Sequence, residues 1–256
     1  MYDIEMHEAS SEFQGCWQAA GSHLNSQVQD GLQSWLRAHL TPPFLEHLSF
    51  RLGNQLFFIR LEDVDGRLKV PGSLLGLFAI ADGCQGSARL MPMKKKLLGS
   101  DWVPARPGWG LIDARTKDPI NPVSLVTGEK IEITAWELHD FAVQVVRDQL
   151  LKEGYKLMSW QGNPNVDPAI WFVGHSKGPE WVVVRAVRYP DKDAKRPHNW
   201  SDIAAGCARL SKIGHFASVA FASTDQKFET DGEEAIPLWR GHGAEVRYEG
   251  LTQPTC

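Results

Sequence analysis

The stretch from Gly154 to Tyr189 constrains the fold most strongly, because it carries three strand patterns in succession. Over residues 181–189 the side chains alternate between two faces, as the period of a strand requires. One face holds Trp181, Val183, Arg185, Val187 and Tyr189. An arginine therefore lies within an otherwise apolar face. Because a guanidinium keeps its proton at ordinary pH and is costly to bury alone, Arg185 needs either a charged partner or solvent.

The elements around these strands follow a recognisable order. A helix is followed by Gly-Tyr-Lys and a short strand, by an Asp that opens a second strand, by a strand ending in R-x-V-R-Y-P, and then by a helix and another strand. Over residues 135–224 this order resembles the PD-(D/E)XK nuclease superfamily, and most closely the modified-DNA restriction endonucleases of the Mrr type. The resemblance implies an α/β restriction-endonuclease-like domain, in which helices flank a mixed sheet.

The positions that carry catalysis in this superfamily depart from its pattern. Asp167 matches the metal-binding aspartate, but the next acid or glutamine and the lysine are replaced by Arg185 and Val187. Metal-assisted hydrolysis of a phosphodiester needs carboxylates to hold a divalent cation and a further cation near the phosphate. Arg185 supplies positive charge but no nucleophile. We therefore predict that Arg185 pairs with Asp167, that the domain is not an enzyme, and that it uses no cofactor.

An alternative interpretation keeps the reaction. Glu137, Asp167 and Glu180 would then hold a displaced Mg²⁺ or Mn²⁺ ion, with Lys177 or Arg185 in place of the catalytic lysine. Under this alternative Asp167 is a metal ligand and the protein is a divergent Mg²⁺-dependent endonuclease.

Glu137 also has a structural explanation. Thr134 and Glu137 have the spacing of a capping box, and Ile133 and Leu138 have the spacing of a hydrophobic staple. These signals predict a helix that begins after Thr134 and ends near Lys152. Capping alone is enough to account for a glutamate at this position.

The remainder of the second half predicts further regular elements. A helix is expected from Asn199, with Gly214 as its stop, and an interior strand over 216–224 completes a βαβ unit. The segments 236–240 and 244–248 are predicted to pair as an edge hairpin around Gly241-His242-Gly243. We take residues 131–256 as the restriction-endonuclease-like domain, with a boundary within 125–133.

The first half predicts an α+β domain of unknown role over residues 24–130. Residues 1–23 show no period and indicate a loosely ordered leader, and helical spacing follows from about 25 to 40. Two alternating segments, Leu48–Leu52 and Gln55–Leu61, flank Gly53-Asn54 and predict a hairpin. A short buried helix within 72–81 and a strand over 87–93 are expected to follow.

The net charge excludes a strongly basic nucleic-acid-binding protein. With 27 Lys and Arg against 31 Asp and Glu, the formal charge is -4, which gives no general attraction to phosphate. Phosphate contact would need a local patch, for which the candidates are Arg188, Lys195, Arg196, Arg209 and Lys212. Asp191, Asp193 and Asp202 interleave with these cations and favour a mixed surface instead.

The four cysteines are far apart and form no C-x-x-C pair, which is typical of a reducing compartment. The sequence contains no apolar run of membrane-spanning length and its first residues lack the segments of a secretory signal. We expect a cytoplasmic protein without a membrane partner.

Three functional hypotheses remain open. The first is a non-catalytic nuclease-fold module that binds a nucleic-acid or protein partner; the resemblance alone suggests a context in bacterial defence or on a mobile element. The second is the divergent endonuclease described above. The third is a protein-binding inhibitor or immunity-like factor, for which the mild net acidity is the support. Exposed strands also leave oligomer formation open.

Overall fold

The computed structural model of the chain describes residues 10–29, 47–96, 101–175, 178–228 and 234–253. These residues fold into two compact units that divide between Ile131 and Glu132. The described residues form four α-helices and two five-stranded mixed sheets, one sheet in each unit, so the fold class is mixed α and β. No helix among them is both long and apolar enough to cross a membrane.

The first unit, which precedes Glu132, begins with a helix where the sequence predicted a loosely ordered leader. Helix α1 (Ser11–Ser26) starts at Ser10, whose Oγ accepts a hydrogen bond from the Phe13 amide at 3.1 Å. Its buried face recurs at helical spacing and consists of Phe13, Cys16, Trp17, Ala20, Gly21 and Leu24. The leader prediction is therefore wrong from residue 11 on. The helix predicted over 25–40 overlaps only the end of α1, and residues 30–40 lie outside the described residues.

The hairpin prediction of the first unit is confirmed. Strands β1 (Leu48–Leu52) and β2 (Gln55–Asp63) pair antiparallel, with Leu52 opposite Gln55 at the turn. The turn glycine, Gly53, has a φ of 57°, a left-handed conformation that few other residues adopt. The two strands supply Leu48, Phe50, Phe57, Ile59 and Leu61 to a core that also contains the buried face of α1.

The other elements of this sheet follow from the same apolar segments. Helix α2 (Leu74–Gly83) leads into strand β3 (Ser87–Lys95), which lies parallel to β2. The strand and the helix are confirmed, but the helix is not buried as predicted: only Leu77, Ile80 and Ala81 are buried, and Leu75 is exposed. Two short strands, β4 (Trp102–Pro104) and β5 (Ile112–Asp113), pair antiparallel with β3. A 3₁₀ turn (Pro122–Leu125) follows near the end of the unit.

One carboxylate, Asp113 in β5, anchors the turn that follows it. Its Oδ1 accepts hydrogen bonds from the backbone N–H groups of Arg115 at 2.8 Å and Thr116 at 2.9 Å, and its Oδ2 pairs with the buried guanidinium of Arg89. Burial alone would raise the pKa of the Asp113 carboxyl. The two backbone donors and the charges of Arg89 and Arg115 outweigh burial and hold this pKa below its ordinary value.

Replacing Asp113 with asparagine is expected to destabilise the first unit by roughly 1–3 kcal/mol at neutral pH, because the Arg89 guanidinium loses its charged partner. The folded-state pKa lies below the unfolded value of about 3.9, so the contribution is complete above that value and is lost as the pH falls through the folded-state pKa. The difference in unfolding free energy between wild type and Asp113→Asn should therefore narrow below about pH 4.

The measurement is unfolding in a urea series, monitored by hydrogen exchange of the β3 backbone amides, at pH 7 and at lower pH. The matched control is Asp118→Asn, because Asp118 is an exposed carboxylate a few residues further along the same loop. That change should stay within about 0.5 kcal/mol at every pH. A difference that stays constant at low pH would contradict the assignment.

The second unit begins at Glu132 and is built on the second sheet. In chain order it contains α3 (Ala135–Lys152), β6 (Lys156–Trp160), β7 (Ile170–Val173), β8 (Pro179–Arg188), α4 (Trp200–Cys207), β9 (Gly214–Ser223) and β10 (Ala244–Tyr248). The strand order is β10-β9-β8-β7-β6. Strands β8 and β9, which α4 connects, are parallel, and the other neighbours are antiparallel.

The start of α3 confirms the predicted capping box. Thr134 Oγ1 accepts from the Glu137 amide at 3.3 Å, and Glu137 Oε2 accepts from the Thr134 amide at 2.9 Å. Ile133 and Leu138, the predicted staple pair, are both buried. Two otherwise unpaired amides of the helix start are thereby satisfied.

Helices cover both faces of β8. Trp181 and Val183 form an apolar cluster with Cys207 and Phe216, against which the residues of α4 pack. Val182 and Val184 point to the opposite face, are also completely buried, and lie on the strand that α3 contacts. Gly214 allows the Trp181 ring to lie against β9, because a Cβ atom there would be 2.2 Å from that ring.

Two details of the second unit differ from the sequence-based expectation. Helix α4 ends at Cys207 rather than near Gly214. The tail does not form a hairpin with itself: β10 pairs with the edge of β9, and in the segment 236–240 only an isolated bridge from Trp239 to Glu132 is present. β9 offers an open edge of backbone N–H and C=O groups, whereas Pro237 in the segment 236–240 cannot donate a ladder hydrogen bond.

Candidate functional site

The arginine in the apolar face of β8 is paired with Asp167, as predicted. Arg185 Nη1 donates to Asp167 Oδ1 at 2.9 Å and Nη2 donates to Oδ2 at 2.5 Å, which is a bidentate arrangement. Nη1 also donates to the Val184 carbonyl at 2.8 Å. The side chains of Arg185 and Asp167 are 25% and 14% exposed, so the pair is largely removed from water.

The surroundings of this ion pair are apolar along the strand. Before Arg185 on the same face lies the cluster of Trp181 and Val183. After it, Val187 packs against a second cluster that contains Tyr189 and Ala220. The position that corresponds to the catalytic lysine of the resembled superfamily is therefore part of the hydrophobic packing.

Cys207 lies close enough to Asp167 to be influenced by its charge. Burial, and secondarily the negative charge of Asp167, raise the pKa of the Cys207 thiol to about 11. A thiol with this pKa is protonated at neutral pH and is a poor nucleophile. Its contacts in the cluster below α4 agree with the role of a small core residue.

The carboxylates proposed for a displaced metal site have separate partners. Arg240 donates to Glu137 through Nε at 2.9 Å and Nη2 at 2.8 Å, while Glu180 Oε2 lies 2.6 Å from His215 Nε2. Within the described ranges, no three His, Cys, Asp or Glu side chains are grouped so that they could hold a metal ion. The structure thus does not bring Glu137, Asp167 and Glu180 together. Lys177, the other candidate, lies outside the described residues.

Four of the five predicted phosphate-binding cations are exposed on the segment that connects β8 to β9. They are Lys195, Arg196, Arg209 and Lys212. The Arg196 guanidinium lies 5.7 Å from the centre of the Trp200 ring, at the start of α4. Carboxylates at 191, 193 and 202 are exposed in the same segment, so the surface carries both signs of charge.

Arg188 is not part of this exposed group. Its guanidinium donates to the Glu132 carboxylate and to the Ile133 carbonyl, just before α3. Because strand side chains alternate, it points to the face of β8 opposite Arg185. We therefore remove Arg188 from the predicted phosphate-binding patch.

The opposite face of the sheet holds a cavity that the sequence did not reveal. It has a volume of about 330 Å³ and lies between the end of α3 and strands β7 to β10. The residues that define its chemistry are Glu153, Tyr155, Phe172, Glu180, His215 and Tyr248.

The inner wall of this cavity is formed by the pair of Glu180 and His215. Their side chains are 7% and 10% exposed. Gly174 makes room for the carboxylate, because a Cβ atom there would lie 1.8 Å from Glu180 Oε1. The Phe172 ring lies 5.7 Å from the His215 ring and 5.2 Å from the Tyr155 ring, measured between centroids. The rings thus pack around His215, and His215 together with the backbone at Gly174 fixes the position of the Glu180 carboxylate.

Sequence reasoning missed this cavity because it depends on strand register. Glu180 and His215 are 35 residues apart and meet only because β8 and β9 pair in parallel with Val182 opposite His215. Alternation then places both side chains on one face. The available signal was one polar residue near the start of each of two apolar strands, which does not by itself specify a register.

The second unit is thus defined by a helix, three antiparallel strands and a crossover to a parallel strand, with an arginine–aspartate pair on one face and a cavity on the other. A family model described as a domain of unknown function (DUF8840) matches residues 136–254, from the first turn of α3 to beyond β10. Neither a curated protein nor a solved structure matches the chain.

Proposed function

We propose that the second unit is a non-catalytic nuclease-fold module that binds nucleic acid through the exposed cations near α4. The observation that carries the non-catalytic part is the bidentate pair of Arg185 and Asp167, and the exposed cations near α4 support the binding part. The order α3-β6-β7-β8-α4-β9, with β8 and β9 parallel, supports the restriction-endonuclease-like architecture that the resemblance implies.

The ion pair argues against catalysis on chemical grounds. Both oxygens of Asp167 already accept hydrogen bonds from a permanent cation. A divalent metal ion would have to displace the guanidinium, and the displaced charge would remain near the metal on a strand packed on both sides. Val187 supplies no proton or charge to an attacked phosphate.

Binding of nucleic acid needs only positive charge at the right spacing. Lys195, Arg196, Arg209 and Lys212 extend into solvent from one connecting segment. The Trp200 ring packs against Trp181 and holds the Arg196 guanidinium at the start of α4. Contacts of these cations depend on phosphate charge, so affinity should fall steeply as salt increases.

The test is fluorescence anisotropy with a labelled DNA duplex and a labelled single-stranded RNA, in a series of salt concentrations. We compare the full chain with a Lys195→Gln/Arg196→Gln variant. Two lost phosphate contacts should weaken binding about tenfold and reduce the salt slope by roughly 2. The control Lys152→Gln/Lys156→Gln removes the same charge from exposed positions elsewhere in the unit.

The control variant should bind within about twofold of the wild type. Absence of binding to either probe at low salt would overturn the proposal and leave the protein-binding inhibitor as the better hypothesis. Equal losses in both variants would show that only net charge matters, and would overturn the assigned surface.

Cleavage assays address the endonuclease alternative. Supercoiled plasmid and RNA are incubated with the full chain and Mg²⁺ or Mn²⁺, beside an Asp167→Ala variant. We expect no cleavage from either protein. Metal-dependent cleavage that disappears in Asp167→Ala would contradict the non-catalytic assignment.

A further inference from the structure

We propose that the cavity between the end of α3 and strands β7 to β10 binds a small organic ammonium ion. This inference concerns the face of β8 opposite Arg185 and does not depend on nucleic-acid binding. It is derived from three properties of the cavity: its charge, its aromatic rings and its fixed inner carboxylate.

The cavity carries negative charge. Two of its lining residues are carboxylates, Glu153 and Glu180, and the lining within the described part of the chain includes no lysine or arginine. The lining also includes two histidines, each engaged with another lining residue: His215 Nε2 lies 2.6 Å from Glu180 Oε2, and His175 Nδ1 lies 2.6 Å from the Tyr155 hydroxyl. An anion would be repelled here, and a neutral molecule would gain at most a hydrogen bond from either carboxylate, without the attraction between opposite charges.

Tyr248, which also lines the cavity, is a buried phenol near Glu153. Burial, and secondarily the charge of Glu153, raise the pKa of the Tyr248 phenol above its ordinary value. The phenol therefore remains neutral and adds no charge to the cavity.

The cavity is also lined by aromatic rings. Tyr155, Phe172 and Tyr248 all line the cavity. The face of an aromatic ring attracts a cation, and the attraction increases where water is excluded. Rings together with carboxylates are the combination that compensates an organic cation for the loss of its hydration.

The carboxylate of Glu180 is already oriented before any ligand binds. Glu180 Oε2 is held at 2.6 Å from His215, and the missing side chain of Gly174 allows the carboxylate to lie against the backbone. A group that is already oriented loses little freedom when a ligand binds. Glu180 can therefore attract a cation at the inner end of the cavity, while the exposed Glu153 lies at its entrance.

The probe is tetramethylammonium chloride, added to the ¹⁵N-labelled full chain at constant ionic strength. We expect saturable shifts of the backbone amides of Phe172 and His215, with a dissociation constant of roughly 1–10 mM. tert-Butanol, a neutral molecule of similar shape, should bind at least about tenfold more weakly.

Three variants separate the contribution of charge from that of shape. Glu180→Gln should weaken tetramethylammonium binding about tenfold, and the exposed Glu153→Gln about threefold without affecting the fold. His215→Gln keeps the carboxylate but removes the contact that orients it, so it should weaken binding less than Glu180→Gln does, by about threefold.

Several results would overturn the proposal. These are equal binding of tert-butanol and tetramethylammonium, no saturable shift at all, or unchanged binding in Glu153→Gln. Loss of binding in His215→Gln with retention in Glu180→Gln would equally overturn it, because the histidine would then be the ligand-binding group. Should Glu180→Gln fail to fold, Glu153→Gln and the tert-butanol comparison decide the outcome.

Discussion

Replacing Arg240 with alanine is expected to reduce the unfolding free energy of the second unit by about 3–5 kcal/mol. Arg240 holds both oxygens of Glu137, and the two side chains are 1% and 3% exposed. Truncation of one partner leaves the carboxylate of the other buried without its charge compensation. Glu137 also caps α3, so strain at this carboxylate would extend to the start of the helix.

The measurement is hydrogen exchange of peptides from α3 across a guanidinium chloride series, which reports the second unit separately from the first. The matched control is Arg247→Ala. Arg247 also pairs with a glutamate, Glu249, but their side chains are 36% and 72% exposed. Such a surface pair is worth about 0–1 kcal/mol. Similar losses in both variants would contradict a special role for the buried pair.

The sequence predicted most of the second unit because its signals are local. The alternation in β8 depends on a few neighbouring residues, and the capping box of Thr134 and Glu137 spans four positions. The pairing of Arg185 was predictable for an energetic reason, since a charge on an apolar face needs compensation. Its partner, Asp167, was identified through the resemblance to a nuclease pattern.

Features that depend on distant contacts were not predictable in the same way. The Glu180–His215 pair needs the register of two parallel strands, and the placement of β10 needs knowledge of which strand edge is open. Arg240 was assigned to a hairpin strand, whereas its guanidinium is buried against Glu137. A local pattern does not contain this information, because each case depends on residues far apart in the chain.

Glu137 had two possible roles in the sequence, and the contacts of its carboxylate favour one of them. The sequence offered a choice between a helix cap and a functional carboxylate. The structure shows the cap and adds a buried ion pair with Arg240. Both oxygens are thereby engaged in holding the start of α3, which supports a structural role for this glutamate and leaves the Asp167–Arg185 pair and the cavity as the sites to test.

Helix α1 was missed although its apolar residues have helical spacing. Phe13, Trp17 and Leu24 recur on one face, but the intervening Cys16 and Ala20 are small, and the remaining residues are mostly polar. The small and polar residues between the large apolar ones therefore made the helical period of α1 hard to recognise. The energetic consequence is considerable, because this face belongs to the same core as β1 and β2.

Replacing Trp17 with alanine is accordingly expected to destabilise the first unit by about 3–5 kcal/mol. The Trp17 ring is completely buried and lies 5.7 Å from the Phe13 ring, so truncation removes apolar contacts and leaves a cavity in the core. Hydrogen exchange of β2 peptides across a urea series measures the loss. Ser22→Ala, at an exposed position of the same helix, is the control and should change stability by at most about 0.5 kcal/mol. A loss below about 1 kcal/mol in Trp17→Ala would indicate that α1 contributes little to the core and would restore the leader interpretation.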